Sequence, residues 1–375
     1  IYVSWSSKPL KKKKKKITCT SACFLLYLIY QWMGKEDVMQ YAFQILPHPN
    51  VRYQDALKKL GGVELTQMLH ALGHDITWMV ENIGGTDFFI FDSPELSEEE
   101  LAYLAPMSST YLWVCRTGKT LTPLARRTEK YLPGEMSEVL KYKGKTNAAF
   151  TALMLNLARA ESPLGREKRP LTVLDPMCGK GTTLYCALEQ GMNAVGVDRD
   201  RKDLKEAMDF VNRSLQMQRI KHSLTQGSRS VPKSAAIPEA VYTLADTREH
   251  YQAGDTRTLR FLLGDTRQAG ALMRKTPADL LVTDLPYGIQ HAPEGGGRPE
   301  SFEQLMRRAL PAWREALRPG GVMAASFNSY TLPKRKLAQW AEEAGWQPLL
   351  APPLDDLEHY VEQAVNRDVL LCLRK

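Results

Sequence analysis

Two strings in this chain bring chemically useful residue types together at short spacing. Asp175-Pro176-Met177-Cys178-Gly179-Lys180-Gly181-Thr182-Thr183 is a glycine turn headed by an acid, and Asp284-Leu285-Pro286-Tyr287-Gly288 joins an acid, a proline and an aromatic. Glycines let a backbone approach a ligand closely and take dihedrals that a β-carbon forbids. The free amides of a helix that follows can face polar ligand groups, so the first string reads as the seat of a nucleotide-like ligand. The second suits a nitrogen acceptor. An exocyclic amino group on a base is a poor nucleophile because its lone pair is delocalised into the ring. A carboxylate at Asp284 holding one N–H, with the carbonyl of Leu285 or Pro286 taking the other, would aim that nitrogen by positioning and electrostatics. Tyr287 offers a face on which the base can stack. Together the strings suggest a methyl donor facing an amino-group acceptor.

The flanking elements place both strings at one edge of a sheet. Leu171 to Leu174 is an apolar run of strand length, and Leu184, Ala187 and Leu188 follow at helical spacing. Asn193 to Val197 is a second strand ending in Asp198, whose carboxylate can accept both hydroxyl hydrogens of a ribose. A third run, Leu259 to Leu263, leads to Gly264 and Asp265, where a carboxylate could accept from an adenine amino group. Ala278 to Thr283 is nearly continuously apolar, as in a parallel strand buried on both faces. Ligands of open α/β sheets bind beyond the carboxyl ends of such strands, so Asp284 to Tyr287 should line the same crevice as Gly179. A dinucleotide oxidoreductase fits less well: its loop needs a third glycine three positions beyond Gly181, and Leu184 stands there.

The first string resembles the S-adenosylmethionine loop of class I methyltransferases, in which the opening acid, here Asp175, lies near the methionine end of the cofactor. The second resembles the D/N/S-P-P-Y/F motif of amino methyltransferases, with Leu285 in place of the first proline. In its Asp-Leu-Pro-Tyr-Gly form it is similar to THUMP-linked RNA methylases that make N2-methylguanosine in transfer RNA. The resemblance covers about residues 140 to 375. It implies a doubly wound, seven-stranded Rossmann-like sheet, S-adenosylmethionine as cofactor, an RNA substrate and a cytoplasmic enzyme. It also implies cofactor contacts from Pro176, Cys178, Gly179, Gly181 and Thr182, and catalytic roles for Asp284, Pro286 and Tyr287. In that family a segment before the first strand folds over the cofactor, and Thr146, Asn147 and Phe150 match it; the lysines alternating through 141–145 could equally face RNA phosphate. Lys180 departs from the small residue usual between the two glycines, and its amine is expected to reach solvent.

The 375 residues suffice for two domains. Their net charge of +8 is uneven. Residues 1–38 carry eight lysines against Glu36 and Asp37, residues 39–140 eight basic against thirteen acidic groups, and residues 141–375 a net +7. The expected catalytic part is thus the basic part, as a polyanionic substrate favours. Lys11 to Lys16 followed by the apolar stretch Ile17 to Met33 has the outline of a signal anchor. We expect instead that residues 1–38 lie outside the working fold and that the protein starts near Met33 or Met39, with a disordered basic arm as a further reading. The six cysteines suggest a reducing compartment: Cys19 and Cys23 sit in the leader, and Cys115, Cys178, Cys186 and Cys372 fall in apolar stretches without paired metal spacing. His70 and His74 share a helical face without a third ligand nearby in sequence, and no metal site is expected.

Residues 39–140 read as a small α/β unit: a strand at Tyr41 to Leu46, a helix within Gln54 to Leu72 broken at Gly61-Gly62, and a strand at Phe88 to Phe91. A capped helix at Ser97-Glu98-Glu99-Glu100 and a strand at Thr110 to Cys115 complete it. The resemblance makes it an RNA-binding module; its acidity equally suits a support or dimerisation role. Residues 218–256 show little periodicity and are expected to form a mobile flap. Later segments predict a helix at Phe302 to Leu317, a turn at 319–321, a strand at Val322 to Phe327, a helix at Leu332 to Ala344 and a last strand at Val369 to Leu373. DNA amino methyltransferases carry a long target-recognition segment that no stretch here supplies, so RNA leads. A DNA adenine or cytosine methyltransferase, and a non-catalytic RNA-binding module with a vestigial cofactor site, stay open at this point.

Overall fold

A computed structural model describes residues 38–47, 51–125, 130–132, 136–140, 145–231, 235–286 and 300–375, without side chains at 51–53. The basic apolar leader, the 141–144 part of the lysine-rich segment, Tyr287 and the Gly295-Gly296-Gly297 run fall outside the described residues.

The amino-terminal unit is a five-stranded antiparallel sheet in the order β2 (Trp78–Ile83), β3 (Thr86–Pro94), β1 (Val38–Ile45), β4 (Thr110–Thr117), β5 (Thr120–Pro123). Tyr41, Phe43, Phe91 and Trp113 form its aromatic core, with Phe43 and Trp113 stacked at 4.2 Å. Helix α1 (Val51–Ala71) packs on this sheet and runs unbroken through Gly61 and Gly62. The break expected there is therefore absent, and the glycines serve close packing. A Cβ on Gly61 would sit 2.2 Å from Ser109 Oγ, and one on Gly62 would sit 2.0 Å from the Trp78 ring. The capping box expected at Ser97 opens α2 (Glu98–Leu104), and a single helical turn, α3 (Met136–Val139), comes later in the chain.

Among the described residues the second sheet has ten strands. Its parallel centre runs β12 (Leu317–Asn328), β11 (Ala278–Asp284), β6 (Thr172–Asp175), β7 (Asn193–Asp198), β10 (Arg257–Leu263). Antiparallel β15 (Val365–Leu373) flanks β12 and is followed by β13 (Gln347–Pro348), which completes a seven-stranded class I methyltransferase order. Strand β14 (His359–Glu362) forms a hairpin with β15. The described residues within 218–256 are sheet and helix rather than a flap. They form β8 (His222–Arg229), β9 (Ile237–Leu244) and the short α7 (Arg248–Ala253), and β9 continues the sheet antiparallel to β10. The weak periodicity has a physical source: β8 is an edge strand exposed along most of its length, so no apolar face is demanded of it.

The Pro-Gly-Gly turn expected at 319–321 lies inside β12. Gly320 takes φ +82° and donates to Arg374 O at 2.7 Å, while a Cβ on Gly321 would meet Asp279 O at 2.8 Å. Helices cover both faces: α4 (Ala148–Glu161), α5 (Thr182–Glu189) and α6 (Arg201–Met217) surround one apolar cluster, α8 (Ala269–Met273), α9 (Phe302–Ala316) and α10 (Lys334–Glu343) the other. The two units meet along α1 and α4. Buried Glu64 on α1 accepts from Ser108 N, Ser108 Oγ and Asn156 Nδ2 on α4, the last at 2.7 Å.

Overpacking a close contact costs about 1–3 kcal/mol. Gly62→Ala should lower the unfolding free energy by about that much, read as a lower urea midpoint at unchanged slope. A wild-type midpoint would show that Trp78 yields without cost.

Candidate active site

Four parallel strands end at one edge, and each contributes a polar residue there. Asp175 closes β6, Asp198 closes β7, Asp284 closes β11, and Ser326 on β12 is in register with Asp284. Asp175 is buried and accepts from Thr283 Oγ at 2.9 Å, from Met177 N at 3.1 Å and from Thr183. Burial, aided by the nearby Asp198 charge, pushes its carboxyl up to about 7 against those donors. Pro176 and Cys178 are buried beneath the turn; the Cys178 thiol is pushed far up by burial and sits where a Cβ on Gly196 would be 2.6 Å from its sulfur. It is packing, and its ionised form is suppressed.

The glycine turn bends as its sequence requires. Gly179 and Gly181 take φ +49° and +91°, and Gly181 N donates to Cys178 O at 2.8 Å. Among the described residues nothing lies within 4 Å of the place a Cβ on Gly179 would occupy, so the turn presents open space to them at its apex. Gly181 forms the amino-terminal cap of α5, whose first residue is Thr182. Asp198 accepts from Gly179 N at 2.7 Å and from Asp200 N at 2.9 Å. These donors use two of its roughly four acceptor positions, leaving capacity for hydroxyl groups. Lys180 does not simply reach solvent: it pairs with Glu206 and lies 3.7 Å from Asp203, both on α6.

Asp284 is held from three sides. Ser326 Oγ donates to one carboxylate oxygen and Thr146 Oγ to the other, and Arg367 Nη2 lies 3.6 Å from the latter. Leu285 is buried and its amide donates to Ser326 O at 2.9 Å, which sets the chain direction into half-buried Pro286. Thr146 therefore stands against the acceptor acid. Asn147 caps α4, its Oδ1 accepting from Ala149 N and Phe150 N at 2.8 and 3.2 Å. Phe150 is buried, with the Arg367 guanidinium 4.9 Å from its ring centre. Asp265 accepts from Arg267 N and Nε, each at 2.8 Å, and caps a single 3-10 turn. The Arg267 guanidinium holds its carboxyl below the usual range in spite of burial.

Sequence reasoning missed Thr283, Ser326 and Arg367. Ser326 had a signal, a lone hydroxyl in the run Val322 to Phe327 beside the strand that carries Asp284. Arg367 had none, because it lies 83 residues from Asp284 and ahead of the expected last strand. His70 and His74 pair with Asp75 and Glu100, each at 2.7 Å. A separate cavity of about 790 Å³ lies between the two units, lined by Tyr111, Lys130, Arg159 and Glu189 among others. It includes none of the strand-end acids, and the chemistry follows the acids.

The family model UPF0020, RMKL-like, methyltransferase domain, matches residues 143–347. The chain belongs to this family. As a UPF0020 methyltransferase it has the class I fold and takes S-adenosylmethionine as methyl donor. Its residues fit that cofactor: an open glycine apex, amides leading into α5, and two strand-end carboxylates. No curated protein matches the chain. Similar solved structures include TrmN from Thermus thermophilus, with 19% identity over 80% of this chain and 60% of that one, at a TM-score of 0.37. A TehB-like SAM-dependent methyltransferase from Corynebacterium glutamicum has 16% identity over 56% of this chain and 83% of that one, at 0.33. A SAM-dependent methyltransferase from Agrobacterium tumefaciens has 13% identity over 60% and 61%, at 0.37.

The Asp175 carboxyl favours its protonated form in the fold, so its contribution to stability is complete below its ordinary value of 3.8 and is lost as pH rises through about 7. Within that window it should lower stability by up to about 1.4 kcal/mol per pH unit. Asp175→Asn should flatten this slope in urea unfolding between pH 4 and 7. An unchanged slope in the variant would assign the titration to another group.

Proposed function

We propose that this UPF0020 methyltransferase methylates the exocyclic amino group of a nucleobase in RNA, and that N2 of a guanosine in transfer RNA is the acceptor. The carrying observation is the Asp284 carboxylate, held at the end of β11 by Thr146, Ser326 and Arg367 at the same sheet edge as the glycine turn. When bound, S-adenosylmethionine supplies an electrophilic methyl group on a sulfonium. Asp284 accepts an N–H of the acceptor amine, the carbonyl of Leu285 or Pro286 takes the other, and Tyr287 stacks the base. Gly179, Gly181 and Thr182 cradle the cofactor, Asp198 accepts its ribose hydroxyls and Asp175 borders its methionine end. The adenine contact assigned to Asp265 requires that carboxylate to be shared with Arg267.

An RNA acceptor is supported by the net +7 of residues 141–375. It is also supported by the path of residues 218–256, whose strands extend the sheet and form no separate target-reading lobe among the described residues. On this reading the chain divides into a small unit at 39–140 and the methyltransferase unit at 141–375. The four described cysteines are unpaired thiols, which suits a cytoplasmic place of work. Among the described residues no helix is long and apolar enough to cross a membrane. A base within a duplex cannot enter such a crevice, so the target must be unpaired or flipped out, at a cost of a few kcal/mol.

Nucleoside mass spectrometry of transfer RNA from cells lacking the protein should show loss of an N2-methylated guanosine. Loss of a different methylated nucleoside would move the target, and no loss in any RNA would overturn the reading. Asp284→Ala should lower turnover about a hundredfold or more, as loss of one preorganised polar contact does, with cofactor affinity retained. Asp198→Ala should do the converse, weakening S-adenosylmethionine binding in calorimetry by about 2–4 kcal/mol. Full methylation by Asp284→Ala, or full cofactor affinity in Asp198→Ala, would remove that residue from the site.

A further inference from the structure

We propose that Arg367 is the positioning residue of the acceptor site, fixing Asp284 through a guanidinium seated on the ring of Phe150. This rests on the acceptor role proposed for Asp284. Arg367 is 8% exposed on β15, in register with Asn328 near the end of β12. Its Nη2 lies 3.6 Å from Asp284 Oδ2, and its Cζ lies 4.9 Å from the centre of the Phe150 ring. Phe150 is itself immobilised: it is 5% exposed, its amide is capped by Asn147, and the His359 ring packs on it at 4.9 Å. A cation over an aromatic face, shielded from water, is held by the ring quadrupole.

Two described neighbours, His359 and Asp368, leave this pairing undisturbed. His359 is pushed down to about 4 by burial, so it stays neutral near neutral pH and adds no second positive charge beside the guanidinium. Asp368, the adjacent carboxylate, points to the opposite face of the strand by the pleat and is paired there with Lys334 at 3.1 Å. The hydroxyls of Thr146 and Ser326 also bind Asp284, but hydroxyls rotate and bring no charge. Arg367 brings a fixed positive charge at a separation longer than a hydrogen bond. It therefore fixes where the negative charge sits without consuming a close acceptor position on it. Thr146 and Phe150, which the family resemblance assigns to the cofactor, are on this view the two ends of the support for the acceptor acid.

The test compares Arg367→Met, Arg367→Lys, Asp284→Asn and the double variant Arg367→Met/Asp284→Asn, using methyl-labelled S-adenosylmethionine and total small RNA from cells lacking the protein. Arg367→Met should cut the rate at saturating RNA about tenfold or more, as misplacement of a reacting group does. The half-saturating RNA concentration and the calorimetric affinity for S-adenosylmethionine should stay within about twofold of wild type, and Arg367→Lys should recover part of the rate. In the Asp284→Asn background the same Arg367→Met change should cost less than about twofold, because a residue that acts through another is non-additive with it. Multiplying losses in the double variant would overturn the proposal, as would a wild-type rate in Arg367→Met when Asp284→Asn is inactive. Should Arg367→Met fail to fold, Arg367→Lys decides: a reduced rate at normal melting temperature supports the proposal and a wild-type rate overturns it. Wild-type activity in Asp284→Asn would instead end the acceptor reading itself.

Discussion

Thr283 donates its hydroxyl to Asp175 across 2.9 Å, tying the penultimate residue of β11 to the last residue of β6. Parallel strands that end in acids bring those acids within reach of one another, and buried carboxylates without donors are costly. Here each end is supplied with donors of a different kind. Asp175 takes hydroxyls and a loop amide, Asp198 takes the amide of Gly179, and Asp284 takes two hydroxyls, with the Arg367 guanidinium as an ion-pair partner 3.6 Å away. The glycine turn keeps its shape partly because Gly179 N is spent on Asp198, 19 residues later.

Burial then separates the acids by character. Asp175 is fully enclosed and its carboxyl is pushed up to about 7. Asp198 and Asp284 are half-exposed where the crevice opens. One edge thus carries a carboxyl close to neutrality beside two acids open to ligands, and one glycine turn separates the first from the second. Sheet register decides which acid receives which environment, since Asp284 stands opposite Ser326 on one side while β6 flanks it on the other.

Elements with local signals were legible in the sequence: the capping box at Ser97, the buried run of β11, the glycine turn, and the acids that follow β6, β7 and β11. Elements whose cause is remote were not. Gly61 and Gly62 look like helix breakers, and their reason is Ser109 and Trp78, which only the packed fold brings close. The edge strand β8 hides because its faces are exposed. At the site, Asp284 is evident from its motif, whereas Arg367 and Ser326 become its partners through strand pairing across 83 and 42 residues. Asn147 shows the opposite case, a motif position whose oxygen is occupied in capping the helix it opens.

Glu64 gives the two units a shared fate. Its carboxylate is fully buried, and its donors come from both sides of the seam: Ser108 within the small unit and Asn156 on α4. The same α4 carries Phe150 in its first turn, on which Arg367 rests, and Lys59 of α1 donates to Glu358 O at the foot of the β14 hairpin. Cutting the chain near residue 140 would strip Asn156 of its acceptor and bare the apolar side of α4 to water. The small unit thereby supplies a buried partner of α4, and exchange of either unit for a foreign counterpart demands that the partner of the Glu64 carboxylate travel with it.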